Sequence, residues 1–259
     1  MDESEIACWA RAERARVALE KVADQLWPHG IRLAAFKGIS IVFGEFGDPS
    51  KRALIDADAL VVKGSFVEAV WRARRHGWPV RFDDPSAVML WVDGSKVDLH
   101  ARALPYPVGR AGRSDLEGAL RPARWARSEL AEFDDVTHAV LLLAHLAKDR
   151  FATTTKCSRD MEVLQQRGVR WPAVVARAES LALRRAVVAG LTACGYSCPA
   201  TTAGEVIRAA EDVKLLKSAL PVEAAFRHRL LADTICRGLG AATFAAVSRP
   251  LSKTLRHWI

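Results

Sequence analysis

The sequence has little that would staple, span or repeat. Its 259 residues include only five cysteines: Cys8, Cys157, Cys194, Cys198 and Cys236. An odd, scattered set is not a disulfide framework. Cys194 and Cys198 lack a second close pair or a nearby histidine, so they do not read as a zinc knuckle. No apolar run approaches the roughly 18–20 residues that a membrane span needs. The opening residues, Met1-Asp-Glu-Ser-Glu5, are acidic with no apolar stretch behind them, so the expectation is no secretory leader and a reduced, cytoplasmic setting. Internal repeats and low-complexity tracts are lacking too. What remains is half hydrophobic and 26% charged, which excludes a collagen and a wholly disordered chain. At about 150 residues per domain the length suits one large domain or two small ones.

The charge is lopsided. There are 38 Lys and Arg against 30 Asp and Glu, a net +8. Such a balance suits a polyanionic partner, nucleotide or nucleic acid. The arginines are spread along alanine-rich helical stretches, however, where they also serve as a solvated helix face.

Two halves differ in character. Ile6–Trp27 reads as an amphipathic helix, stopped by Pro28 and Gly30. Ile31–Phe36 is a short apolar strand, and Gly38–Phe46 the helix after it. Gly47-Asp48-Pro49-Ser50 is loop chemistry. Ile55–Val62 is a strand, and Phe66–His76 a helix ended by Gly77. Ala87–Val92 and Ser95–His100 flank Asp93-Gly94, a strong hairpin signal. Residues 101–112 hold Pro105, Pro107, Gly109 and Gly112 and read as a linker. From about residue 113 onward the pattern is helical only, with candidates near 134–150, 157–167, 171–196, 203–219 and 221–239.

Acids occur where a structural strand has no need of them. Asp56 and Asp58 lie in Ile55-Asp-Ala-Asp-Ala-Leu-Val-Val62, and alternation turns both carboxylates to one face. Like charges so close repel and raise each other's pKa. A shared divalent ion resolves that conflict, because hard oxygen ligands suit Mg²⁺. Asp98 and His100, in Lys96-Val-Asp-Leu-His100, also share a face. If the two strands are neighbours, three carboxylates converge, a ligand set for two-metal phosphoryl or nucleotidyl transfer. The plainer alternative is an exposed edge strand blunted by aspartates. Lys37-Gly38 opens the helix after the first strand, where free N–H groups, a point charge and a bare backbone suit an anion. Arg52, four residues before Asp56, is a candidate for holding phosphate or pairing with an acid.

These segments, taken in order, resemble the uncharacterised nucleotidyltransferase family of the polymerase-beta-like superfamily. The residues that carry the likeness are Phe36-Lys37-Gly38, then Glu45-Phe-Gly-Asp-Pro-Ser-Lys-Arg52, then Asp56-Ala-Asp58-Ala-Leu-Val, then Val97-Asp98-Leu-His100. A weaker likeness continues through His145, Lys148, Lys156, Arg159 and Asp160. The spacers Ala57 and Ala59 are smaller than the family's usual residues, and Phe151-Ala-Thr-Thr-Thr-Lys156 replaces an aromatic, leucine-rich segment.

The resemblance implies an α+β fold, a nucleotidyltransferase-type mixed sheet with packed helices followed by an all-helical C-terminal half. It implies a catalytic domain at 1–108 and a helical domain at 109–259 that closes over the nucleotide. Asp56 and Asp58 would hold Mg²⁺ (or Mn²⁺) on a nucleoside triphosphate, and Asp98 would complete a second metal site and help deprotonate the acceptor hydroxyl. Lys37, Gly38, Arg52, His100, Lys148, Lys156 and Asp160 would line the nucleotide. The implied reaction moves a nucleoside monophosphate to an acceptor hydroxyl or phosphate and releases pyrophosphate. The acceptor stays open among a peptide natural product, a small molecule and an RNA, and so does the oligomeric state. The rival expectations are a non-catalytic module that keeps the acids for structure and a nucleic-acid-binding module that uses the basic charge and some of the eight tryptophans.

Overall fold

The computed structural model describes residues 1–84, 87–104, 113–146, 151 and 155–218. Lys148 and the expected helix at 221–239 lie outside them. The chain divides into two compact units, Met1–Ala103 with Arg113–Asp134, and the remainder.

The first unit opens with α1 (Glu3–Leu26), started by a capping box between Asp2 and Glu5. A tight turn at Trp27–His29 and Gly30 ends it. Then come β1 (Arg32–Phe36), α2 (Gly38–Phe43), β2 (Asp56–Lys63), α3 (Phe66–Arg75), β3 (Val80–Asp84), β4 (Ala87–Val92) and β5 (Ser95–His100). After the linker follow α4 (Arg113–Glu117), β6 (Leu120–Pro122) and β7 (Ala131–Phe133). The seven strands make one mixed sheet in the order β3-β4-β5-β2-β1-β7-β6. The α+β class is as expected, a mixed sheet with packed helices and helices after it.

Asp93 and Gly94 turn the β4–β5 hairpin with φ of 49° and 78°, the left-handed pair such a two-residue turn requires. The strand β5 then lies parallel to β2, with Ala57 beside Val97 and Ala59 beside Leu99. These residues, with Leu33 and Ala35 of β1 and Val88, Leu90 and Val92 of β4, form one apolar face of the sheet. Ala12, Ala15, Leu19 and Val22 of α1 and Ala69, Val70 and Ala73 of α3 belong to the same buried cluster. Alanine on both sides lets α1 lie close on β2, so the small spacers Ala57 and Ala59 serve packing.

Some elements depart from the hydropathy pattern. The helix α2 stops at Phe43 rather than Phe46, because Gly44 is extended and Phe46 takes φ of 58°. The edge strand β3 carries Arg81, Asp83 and Asp84 and shows little alternation, so its pairing with β4 defines it. The strands β6 and β7 have three residues each, too few for a period to register.

In the second unit α5 (Asp135–His145), α6 (Thr155–Gln166), α7 (Trp171–Ser180), α8 (Arg184–Ala193) and α9 (Ala203–Ser218) follow in order. The stretch expected as one helix, 171–196, is two, broken where Ala182 takes φ of 54°. Arg185 clamps Asp212 with two 3.0 Å hydrogen bonds and so ties α8 to α9.

Candidate active site

The face of the sheet opposite the apolar cluster carries the chemistry. Alternation along β2 sends Ala57, Ala59 and Val61 to the core and Asp56, Asp58 and Leu60 to the other side. The parallel register sets Asp58 beside Asp98, Leu60 beside His100, and Asp56 beside Lys96. Ligand atoms of Asp58, Asp98 and His100 all lie within 4.8 Å of one another. Two carboxylates and an imidazole at that spacing can close on one divalent cation. Asp56 is outside this trio and stands one pleat along β2 on the same face. Lys96 lies over the Trp91 ring, 5.0 Å from its centre.

The surroundings are dry. Phe36 is fully buried and meets the His100 ring edge-on at 5.2 Å and Phe133 at 6.3 Å. Asp58 itself is 8% exposed. Burial alone would push its carboxyl up, but Lys37 and His100 outweigh that and hold it well below the usual carboxylate range. Lys37 Nζ donates to Asp58 Oδ1 at 2.6 Å, and His100 Nε2 is 2.9 Å from the same oxygen. An ammonium therefore stands on one of the candidate metal ligands.

Lys37 is held there under strain. Its φ of 57° and ψ of −133° lie where only glycine is comfortable. For a side-chain-bearing residue such a conformation costs on the order of 1–3 kcal/mol, and such outliers gather at functional sites. The next residue, Gly38, is bare for a clear reason. A Cβ there would meet the Arg52 guanidinium, with Nη1 at 2.3 Å. Arg52 is 5% exposed, a buried cation laid against the Gly38 backbone. The loop that delivers it is ordered by Asp48, whose Oδ1 accepts from Ser50 N at 2.8 Å and Ser50 Oγ at 2.7 Å. Gly47 sits where a Cβ would strike the Ile41 carbonyl at 2.2 Å. Thus Lys37, Gly38, Arg52, Asp58, Asp98 and His100 all come from one unit and one sheet face or the loops beside it. Lys156 and Asp160 belong to α6 in the second unit, the first exposed and the second 4% exposed.

A model of the uncharacterised nucleotidyltransferase family matches residues 1–196. The chain belongs to that family. The match takes in the whole first unit and the second as far as the residues just after α8, so α9 follows the part of this nucleotidyltransferase-family chain that is matched. No curated protein and no solved structure gives a significant match. Among the described residues no helix is long and apolar enough to cross a membrane.

Two features escaped the sequence. One is the ion pair of Lys37 with Asp58. The register of Phe36 against Asp58 sets it up, and hydropathy does not report register. The other is the approach of Cys157 to Cys194, whose sulfurs are 3.6 Å apart across 37 residues of sequence.

Proposed function

We propose that this protein is a divalent-metal-dependent nucleotidyltransferase acting from the first unit. The observation that carries the reading is the cluster of Asp58, Asp98 and His100, with Lys37 on Asp58, within the matched family region. The donor set is hard oxygen with one imidazole, which fits Mg²⁺ or Mn²⁺. When bound, such an ion neutralises phosphate charge and lowers the pKa of a coordinated acceptor oxygen.

Each residue then has a task. Asp58, Asp98 and His100 hold the ion. Asp56, on the same face, takes a share in holding the ion that accompanies the triphosphate. Arg52 stabilises phosphate charge from a fixed, desolvated position. Gly38 keeps the backbone low beside it, and Lys37 supplies a further cation. The acceptor oxygen, a hydroxyl giving up its proton to Asp98, attacks the α-phosphorus, the bond from that phosphorus to the bridging oxygen breaks, and pyrophosphate leaves. Most of the acceleration comes from holding the groups in line and from preorganised charge. The acceptor is a hydroxyl or phosphate on a peptide, a small molecule or an RNA, and the setting is the reducing cytoplasm.

The test is to incubate the protein with each of the four ribonucleoside triphosphates and Mg²⁺ and follow nucleotide binding and pyrophosphate release. Metal-dependent binding of a nucleotide that vanishes in Asp58→Asn supports the reading. Binding of none, with or without metal, would leave a non-catalytic module on this fold.

A further inference from the structure

We infer that Lys37 is an internal counter-ion that must leave Asp58 before a divalent cation enters, so that metal and triphosphate bind as a coupled pair. The inference rests on the metal-dependent reading above and adds a binding order to it.

The geometry is specific. Lys37 Nζ and His100 Nε2 both approach Asp58 Oδ1, at 2.6 and 2.9 Å. A divalent ion needs an oxygen of Asp58 at about 2.0–2.1 Å for Mg²⁺. An ammonium on that carboxylate repels the ion at close range in a poorly solvated place, where charge is weakly screened. The Lys37 side chain is 16% exposed and that of Asp58 11%, so neither is freely reached by water. Displacing the ammonium costs it the 2.6 Å contact with Asp58 in a place that water reaches poorly. A triphosphate receives it. The ammonium then moves from one anion to another, and the carboxylate is released to the metal.

The backbone agrees with a poised arrangement. Lys37 sits at φ 57° and ψ −133° between β1 and α2, so the residue is held by its surroundings and not by its own preference. The aromatic neighbour adds a rail, since Nζ is 5.1 Å from the centre of the Phe36 ring. Because coupling is reciprocal, a triphosphate that draws Lys37 away raises metal affinity by the same factor that metal raises triphosphate affinity.

The test titrates Mn²⁺ alone into the full-length protein and reads free hexaaqua Mn²⁺ by electron paramagnetic resonance. Wild type is compared with Lys37→Met, Lys37→Gly and each of these combined with Asp58→Asn. Lys37→Gly guards against a folding failure, since glycine suits the positive φ, and circular dichroism melts verify both single variants. The expected result is weak Mn²⁺ binding by wild type and binding at least tenfold tighter by both Lys37 variants, lost with Asp58→Asn. Wild-type binding as tight as that of the Lys37 variants, and dependent on Asp58, would overturn the counter-ion inference and leave the metal site standing. Binding by no variant, or binding indifferent to Asp58, would overturn the metal site and the inference with it.

Discussion

Asp58 and Asp98 are register partners across the parallel β2–β5 pair, two carboxylates side by side on one sheet face. Like charges in that relation destabilise unless something positive intervenes. Here Lys37 and His100 both serve Asp58. Asp58→Asn weakens the oxygen that Lys37 and His100 both approach and is expected to cost about 3 kcal/mol. Asp58→Asn and Asp98→Asn are both expected to lower pyrophosphate release by about 10²–10³-fold, the scale of losing a preorganised charge. Chemical unfolding curves beside turnover assays separate the two effects.

Acid should act on the fold through the same carboxylate. Folding depresses the Asp58 carboxyl, chiefly against burial and through Lys37 and His100. A group depressed in this way stabilises the fold above its unfolded pKa, near 4, and that contribution fades as pH drops toward the lower folded value. Stability from this source is therefore flat between pH 7 and about pH 5 and declines below about pH 4. Asp58→Asn flattens that acid limb, which thermal melts between pH 2 and 7 would record. A limb unchanged in the variant would contradict the assignment.

The glycines at 38 and 47 make a matched contrast. In Gly38→Ala the new methyl meets the end of a long side chain, Arg52. That side chain can shift, so the fold survives, and triphosphate affinity drops by about tenfold or more as the guanidinium loses its place. In Gly47→Ala the methyl meets backbone, Ile41 O at 2.2 Å and Val42 O at 2.4 Å. Backbone cannot yield cheaply, so Gly47→Ala is expected to lower the melting temperature more than Gly38→Ala does. Calorimetric titration with inorganic tripolyphosphate and a melt of each variant provide the comparison.

Glu205 makes a separate prediction in the second unit. Arg184 Nε donates to its Oε1 at 2.7 Å and the Thr202 N–H donates to its Oε2 at 2.8 Å, which caps α9. Arg184 first, then Thr202, pull its carboxyl down to about 2. Glu205→Gln is expected to cost about 1 kcal/mol at pH 7. The difference from wild type shrinks as pH falls from the ordinary glutamate range toward 2, because wild type then loses the same charge. Helical circular dichroism under urea at several pH values reads both.

Much of the first unit was legible because its signals are local. Asp93-Gly94 fixed a hairpin, and alternation placed Asp58 and Asp98 on faces that turned out to be the same one. In the Val-Asp-Leu-His run, alternation alone sets His100 on the face of Asp98. What stayed hidden depends on contacts distant in sequence. The strands β6 and β7 are defined by pairing alone, and the break at Ala182 interrupts a stretch whose composition is helical throughout. Arg52 reads equally as a surface residue until the backbone of Gly38 is laid under it.

The division of β2 and β5 into two faces has a practical meaning for redesign. Ala57, Ala59, Val97 and Leu99 hold the sheet to its helices, while Asp56, Asp58, Asp98 and His100 alternate with them and belong to none of that packing. A library that freezes the first set together with Asp58, which is buried and holds Lys37, and randomises Asp56, Asp98 and His100 would vary reactivity over an unchanged apolar face of the sheet. Its members would differ first in what they catalyse or bind.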